Sequence, residues 1–208
     1  MHFTAIDLER WERREHFYHF MNEAVCSYSA TVNIDITGIK GQRLYPVMLW
    51  VLTRAVNQMP EFRTAYRDGV LGIYDTMNPS YTIFHPEKKT FSSIWSEYKN
   101  DYENFLHTYL EDIKFAAQSM QYCPKGPRPE NCFDVSMVPW LNFTAFHLNV
   151  YNGGSYLLPI FTMGKYEEQN GRRLLPLSIQ VHHAVCDGYH VGLFVDIVQK
   201  EINQLMGG

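Results

Sequence analysis

The chain has 208 residues, 46% of them apolar and 19% charged, so it can bury a real core and is too apolar to be intrinsically disordered. Its 18 Lys and Arg against 22 Asp and Glu give a net charge of −4, which offers no basic surface to a phosphate backbone and argues against a nucleic-acid partner. Aromatic residues reach 15%, a surplus that suits a ring-lined pocket or a Phe-rich core equally well.

The first fifteen residues carry Asp7, Glu9, Arg10, Glu12, Arg13, Arg14 and Glu15 and no apolar stretch, so no secretory signal is expected. Residues 10–25 read as a charged helix with Trp11, Phe17, Phe20 and Met21 inward, and residues 27–36 alternate as a strand. Pro46 opens a helix over 47–59 and Pro60 closes it; its apolar run stops at Thr53-Arg54, far short of a membrane span. Residues 62–66 and 70–74 flank Arg67-Asp68-Gly69, which is hairpin chemistry, and 81–84 reads as a short strand. A long helical stretch, broken near its middle, is expected over 93–121. Pro124, Gly126, Pro127 and Pro129 then mark 122–132 as a surface loop.

Beyond that loop the chain turns β-rich. Residues 143–151 and 156–163 face each other across Asn152-Gly153-Gly154, a hairpin signal, 174–182 is an apolar strand, and 188–206 a closing amphipathic helix. Helices interleave with strands, yet several strand neighbours are hairpins. The expected fold is therefore an α/β two-layer sandwich, a mixed β-sheet covered by helices, in a single domain over 1–208. Cys26, Cys123, Cys132 and Cys186 read as free thiols in a reducing cytoplasm, with Cys123–Cys132 across the Pro-rich loop as the alternative.

The chemistry-bearing segment is Gln180-Val181-His182-His183-Ala184-Val185-Cys186-Asp187-Gly188-Tyr189-His190, joining the last strand to the last helix. Adjacent histidines at a strand end point to opposite sides, so one of them faces a given cleft. Asp187 follows His183 by four residues and Gly188 permits a tight turn, where a histidine held neutral can act as a general base. A metal site from His183, Cys186, Asp187 and His190 lacks a second ligand cluster, so no metal is expected. No G-x-S-x-G elbow supports a serine hydrolase. Two buried, hydrogen-bonded histidines without catalytic work are the remaining alternative from the residues alone.

The block from His182 to His190 resembles the HHAVCDGFH signature of the chloramphenicol acetyltransferase family. Further likeness runs in order along the chain: Trp11-Glu12-Arg13-Arg14-Glu15-His16-Phe17, Tyr45-Pro46-Val47-Met48, Thr82-Ile83-Phe84-His85, Pro129-Glu130-Asn131, Ser136 with Pro139-Trp140, and Thr162-Met163-Gly164-Lys165-Tyr166. The shorter HHxxxDG motif is shared with peptide-synthetase condensation domains and dihydrolipoyl acyltransferase cores, which differ in length or accessory domains.

The resemblance implies transfer of acetyl from acetyl-CoA, a cosubstrate, to the 3-hydroxyl of chloramphenicol, in a cytoplasmic homotrimer with active sites between subunits. It implies His183 as general base, Ser136 as oxyanion donor and Thr162 as a further transition-state residue. Asp187 would pair with Arg13 to hold the active-site turn. Arg43, Tyr45, Lys165 and Tyr166 match coenzyme A positions, and Phe20, Cys26, Tyr28 and Leu148 match the acceptor-pocket wall. The chain departs from the family pattern at Phe20, Pro86, Asp134 and Tyr189. Those departures keep a different hydroxyl or thiol acceptor in view, and a non-catalytic binding protein is the third reading.

Overall fold

The computed structural model describes residues 2–148, 150 and 153–207, apart from the Met206 side chain. Its spine is the strand Arg172–His182 (β10), apolar enough from Leu175 onward to be buried to its end. The strand Ser27–Asp35 (β2) pairs antiparallel with it from Leu174↔Asp35 to His182↔Ser27. On its other side lies Ile160–Met163 (β8), followed outward by Cys132–Met137 (β7), Asn78–His85 (β5) and Thr90–Trp95 (β6). The β8–β7 and β7–β5 pairs are parallel and the rest antiparallel, so the sheet is mixed. Glu167–Gln169 (β9) adds a short hairpin to β10 through Asn170 and Gly171, both at positive φ as a two-residue turn of this kind requires.

A second, three-stranded sheet joins Phe3–Ala5 (β1), Val70–Tyr74 (β4) and Thr64–Arg67 (β3). Asp68 and Gly69 make the β3–β4 turn at positive φ, as the sequence pattern predicts. The helices are Arg14–Tyr18 (α1), which runs into a π turn over His19–Glu23, Leu44–Gln58 (α2), Tyr102–Ala116 (α3) and Gly188–Gly207 (α4). Among the described residues none is long and apolar enough to cross a membrane.

Three sequence expectations give way. The helix predicted over 10–25 begins only at Arg14, because the residues before it close separate turns, with the Arg10 N–H donating to the Asp7 carbonyl at 3.1 Å and the Arg14 N–H to the Trp11 carbonyl at 3.0 Å. Residues 93–95 belong to β6, paired with β5, and the helix starts at Tyr102, where the Asp101 carboxylate caps the Asn104 N–H at 3.0 Å. The hairpin predicted over 143–163 does not form among the described residues; Tyr151 and Asn152 of its turn region lie outside them. Residues 143–148 instead cross the sheet face. Ser178 Oγ donates to the Phe146 carbonyl at 2.7 Å, and the Leu148 N–H donates to the Gln180 side chain at 3.1 Å. Side chains of β10 thus satisfy backbone groups that a strand partner would otherwise have taken.

Alternation along β10 separates two environments. Leu177, Ile179 and Val181 face the helices, while Ser178, Gln180 and His182 face the crossing segment. The helical side is packed by rings: Phe194 stacks on Phe62 at 4.5 Å and on Phe161 at 5.1 Å, and Phe133 meets Phe161 edge-on at 5.6 Å. Phe161 is fully buried at the centre of this stack. Phe161→Ala is expected to cost about 3–5 kcal/mol of stability, read as a lower urea midpoint with an unchanged slope.

Candidate active site

The turn between β10 and α4 is organised by one side chain from the far end of the sequence. Arg13 Nη1 donates to Asp187 Oδ2 at 2.8 Å, Nη2 to the His183 carbonyl at 3.0 Å, and Nε to the Ala184 carbonyl at 2.9 Å. The guanidinium is largely buried, so its planar fork is directed wholly at these acceptors. Burial pushes the Asp187 carboxyl upward, but the Arg13 hydrogen bond and the nearby His190 outweigh it and hold the group below its ordinary range. The clamp is therefore intact at neutral pH and releases only in acid, as pH falls through that depressed value.

His182 and His183 diverge as the alternation predicts. His182 is buried, its Nδ1 accepts the Ala184 N–H at 3.1 Å, and burial lowers its pKa and keeps it neutral. His183 is half-buried. Its ring lies flat on Phe20 at 3.9 Å and meets Tyr28 edge-on at 5.2 Å, while its backbone N–H donates to the Cys26 carbonyl at 3.0 Å. Among the described residues Nδ1 is buried without a hydrogen-bond partner, which leaves Nε2 as the accessible ring nitrogen. Three of the four predicted acceptor-wall residues, Phe20, Cys26 and Tyr28, thus gather at His183. Burial raises the pKa of the nearby Cys186 thiol, so it is not a nucleophile.

Ser136 and Thr162 are register partners on β7 and β8, and their hydroxyls lie 3.0 Å apart. Thr162 is buried, so its hydroxyl meets Ser136 and not open space. Ser136 lines a cavity of about 630 Å³ walled by rings and aliphatic chains, among them Tyr45, Phe84, Trp140, Phe146 and Leu148. Leu148 and Tyr45 therefore belong with Ser136 and not with His183. Of the four departures, Asp134 alone lines this cavity, and its carboxylate is tied to Tyr156 Oη at 2.6 Å and to Arg128. Pro86 sits in the exposed β5–β6 turn, and Tyr189 is 76% exposed beside the β10–α4 turn.

Arg43, Lys165 and Tyr166 are exposed and none lines the cavity. Tyr166 receives the Arg173 guanidinium over its ring at 5.7 Å, and Arg43 directly precedes α2. Among the described residues no group of three or more His, Cys, Asp and Glu side chains is placed to hold a metal ion. Sequence reasoning missed the cavity's outer wall, built by Phe84 from the expected short strand, Tyr122 from the expected loop and Phe91 from a stretch assigned to no element.

The His183 group and the Ser136 group stand apart in the chain. Thr162 pairs with Ser178 and Ser136 pairs with Thr162, so all three stand in one row across the sheet. His183 lies five residues beyond Ser178, just past the end of β10 and edge-on to Tyr28. At about 3.3 Å per residue and 4.8 Å per strand, its imidazole is on the order of 15–20 Å from the Ser136 hydroxyl.

Comparison with known proteins follows the same lines. The family described as "Chloramphenicol acetyltransferase" matches residues 1–199. Proteins of that name are 50% identical over 206 residues in Clostridium perfringens, covering 98% of this chain and all of the relative, and 45% identical over 212 residues in Escherichia coli, covering 99% and 96%. A solved chloramphenicol acetyltransferase structure superposes with a TM-score of 0.84 at 25% identity, covering 97% of this chain and all of that one. The dihydrolipoamide acetyltransferase of Azotobacter vinelandii shares the fold alone, with a TM-score of 0.66 at 17% identity over 93% and 87% of the two chains. Matched end to end in sequence, and carrying the turn and hydroxyl pair just described, the chain belongs to the chloramphenicol acetyltransferase family.

Proposed function

We propose that the protein transfers the acetyl group of acetyl-CoA to the 3-hydroxyl of chloramphenicol, in the cytoplasm, at sites built between the subunits of a homotrimer. The observation that carries this reading is the Ser136 hydroxyl, held by buried Thr162, on the wall of an apolar cavity, while an oriented imidazole is presented elsewhere on the same chain. A cavity of about 630 Å³ suits an aryl, amide-bearing acceptor. The separation of His183 from Ser136 supports a site completed by a second copy, because two different patches that meet head to tail close into a ring. Free cysteines agree with a reducing compartment.

Acetyl-CoA supplies the thioester carbon that the acceptor oxygen attacks. His183 Nε2 takes the acceptor's hydroxyl proton as the C–O bond forms, and later gives it to the departing sulfur as the C–S bond breaks. Ser136, its hydroxyl oriented by Thr162, donates to the oxygen that becomes negative in between. No acetyl-enzyme is required, since both substrates occupy one complex and the gain comes from proximity and proton transfer. On the cofactor side, Arg43 and Lys165 provide exposed cations for the phosphates, and Tyr45 and Tyr166 provide rings along the channel. A different hydroxyl or thiol acceptor is the second reading, favoured by the Asp134 carboxylate on the cavity wall.

Thiol release from acetyl-CoA, followed with a chromogenic disulfide, is expected to depend on micromolar chloramphenicol. A folded, coenzyme A-binding protein with no such rate would move the search to other acceptors. His183→Ala is expected to lower turnover by at least about 10³-fold with coenzyme A binding retained, and near-normal turnover would refute the base assignment. Arg13→Val is expected to lower both kcat and Tm, since three acceptors lose their donor at once; a variant with full kcat would show that the turn holds itself.

A further inference from the structure

One charged contact at the catalytic turn has no part in the chemistry described above. His190, in the first turn of α4, places Nδ1 2.8 Å from Asp187 Oδ1, the oxygen opposite the one that Arg13 binds. Its Nε2 lies 3.6 Å from Glu61 Oε1, in the 3-10 turn Pro60–Arg63. The imidazole is only 18% exposed, so it is held between the two carboxylates and does not swing in solvent. A nitrogen and a carboxylate oxygen at 2.8 Å require a proton between them, so Nδ1 carries the hydrogen and donates it to Asp187. The Asp187 N–H also points at this nitrogen, at 3.2 Å. A donating nitrogen cannot accept as well, and the shorter, charge-assisted contact prevails.

We infer that His190 is a positioning residue that completes the Arg13 clamp. With Arg13 alone the Asp187 carboxylate is held at one oxygen and is free to turn about its own bond to Cβ. With His190 on the other oxygen its plane is fixed, and so is the guanidinium that carries the His183 and Ala184 carbonyls. His183 is thereby aimed through a chain of contacts, His190 to Asp187 to Arg13 to the His183 carbonyl, each 2.8–3.0 Å long. His190 touches no substrate. Glu61 stands on the far side of the ring, 3.6 Å from Nε2. The inference rests on the assignment of His183 as the base.

Three substitutions separate this role from mere packing. The amide nitrogen of His190→Asn stands where Nδ1 stands, and that of His190→Gln stands where Nε2 stands. We expect His190→Asn to keep kcat within about threefold of the parent, while His190→Ala and His190→Gln lose about tenfold or more, with KM for both substrates unchanged. Hydrogen exchange of the peptide over 182–190 should follow the same order, faster in His190→Ala and His190→Gln and unchanged in His190→Asn. That second readout needs no acceptor. A parent enzyme inert toward chloramphenicol would defeat the functional reading, and the exchange order would still judge the clamp. His190→Ala with parental kcat and exchange, or His190→Asn as impaired as His190→Ala, would overturn the inference, as would a functional His190→Gln beside an impaired His190→Asn.

Discussion

One guanidinium joins the beginning of the chain to the turn between β10 and α4. Arg13 spends its donors on the carbonyls of two consecutive residues and on a carboxylate three residues farther on. A turn that leaves a buried strand and enters a helix exposes carbonyls with no strand or helix partner, and here a side chain from 170 residues away supplies it. Lysine could not do this, because a point charge has no fork to span three acceptors. The orientation of His183, the seat of Phe20 on its ring, and the start of α4 all follow from that single set of hydrogen bonds.

The second constraint is the geometry of the sheet. Alternation sends Ser136, Thr162 and Ser178 to the face crossed by residues 143–148, while the His183 ring sits beyond the strand end among Phe20 and Tyr28. No rotamer brings a strand-row hydroxyl and an imidazole together across on the order of 15–20 Å. Under the proposed chemistry, a chain that carries the hydroxyl and the imidazole on different patches needs a second copy to complete a site, and both His183 and Ser136 are left half-exposed. That account explains why Leu148 separates from Phe20, Cys26 and Tyr28, although family resemblance gathers all four at the acceptor.

Much of the fold was legible because its signals are local. The Arg67-Asp68-Gly69 hairpin, the proline-bounded α2 and the closing α4 depend on turn chemistry and helical periodicity, which a sequence displays directly. Residues 93–95 misled because serines and aromatics at that spacing fit either element, and their pairing with β5 is decided by the turn at 86–89. Residues 143–148 misled for a different reason. They alternate like a strand, but the side chains of Ser178 and Gln180 take their backbone bonds. The site residues at the β10–α4 turn were visible as a motif, whereas Glu61 gave no sign, because nothing near it in sequence announces a histidine 129 residues later. The split between Ser136 and His183 follows from register, which no motif encodes.

Mixing two inactive proteins tests that split most directly. His183→Ala and Ser136→Ala would be co-refolded in equal amounts and assayed against each variant alone. If each site takes its imidazole from one subunit and its hydroxyl from the next, random assembly leaves about one site in four intact, so the mixture should recover about a quarter of the parental rate. Recovery no greater than the sum of the separate variants would mean that both groups serve the same site from one chain, and would contradict the account.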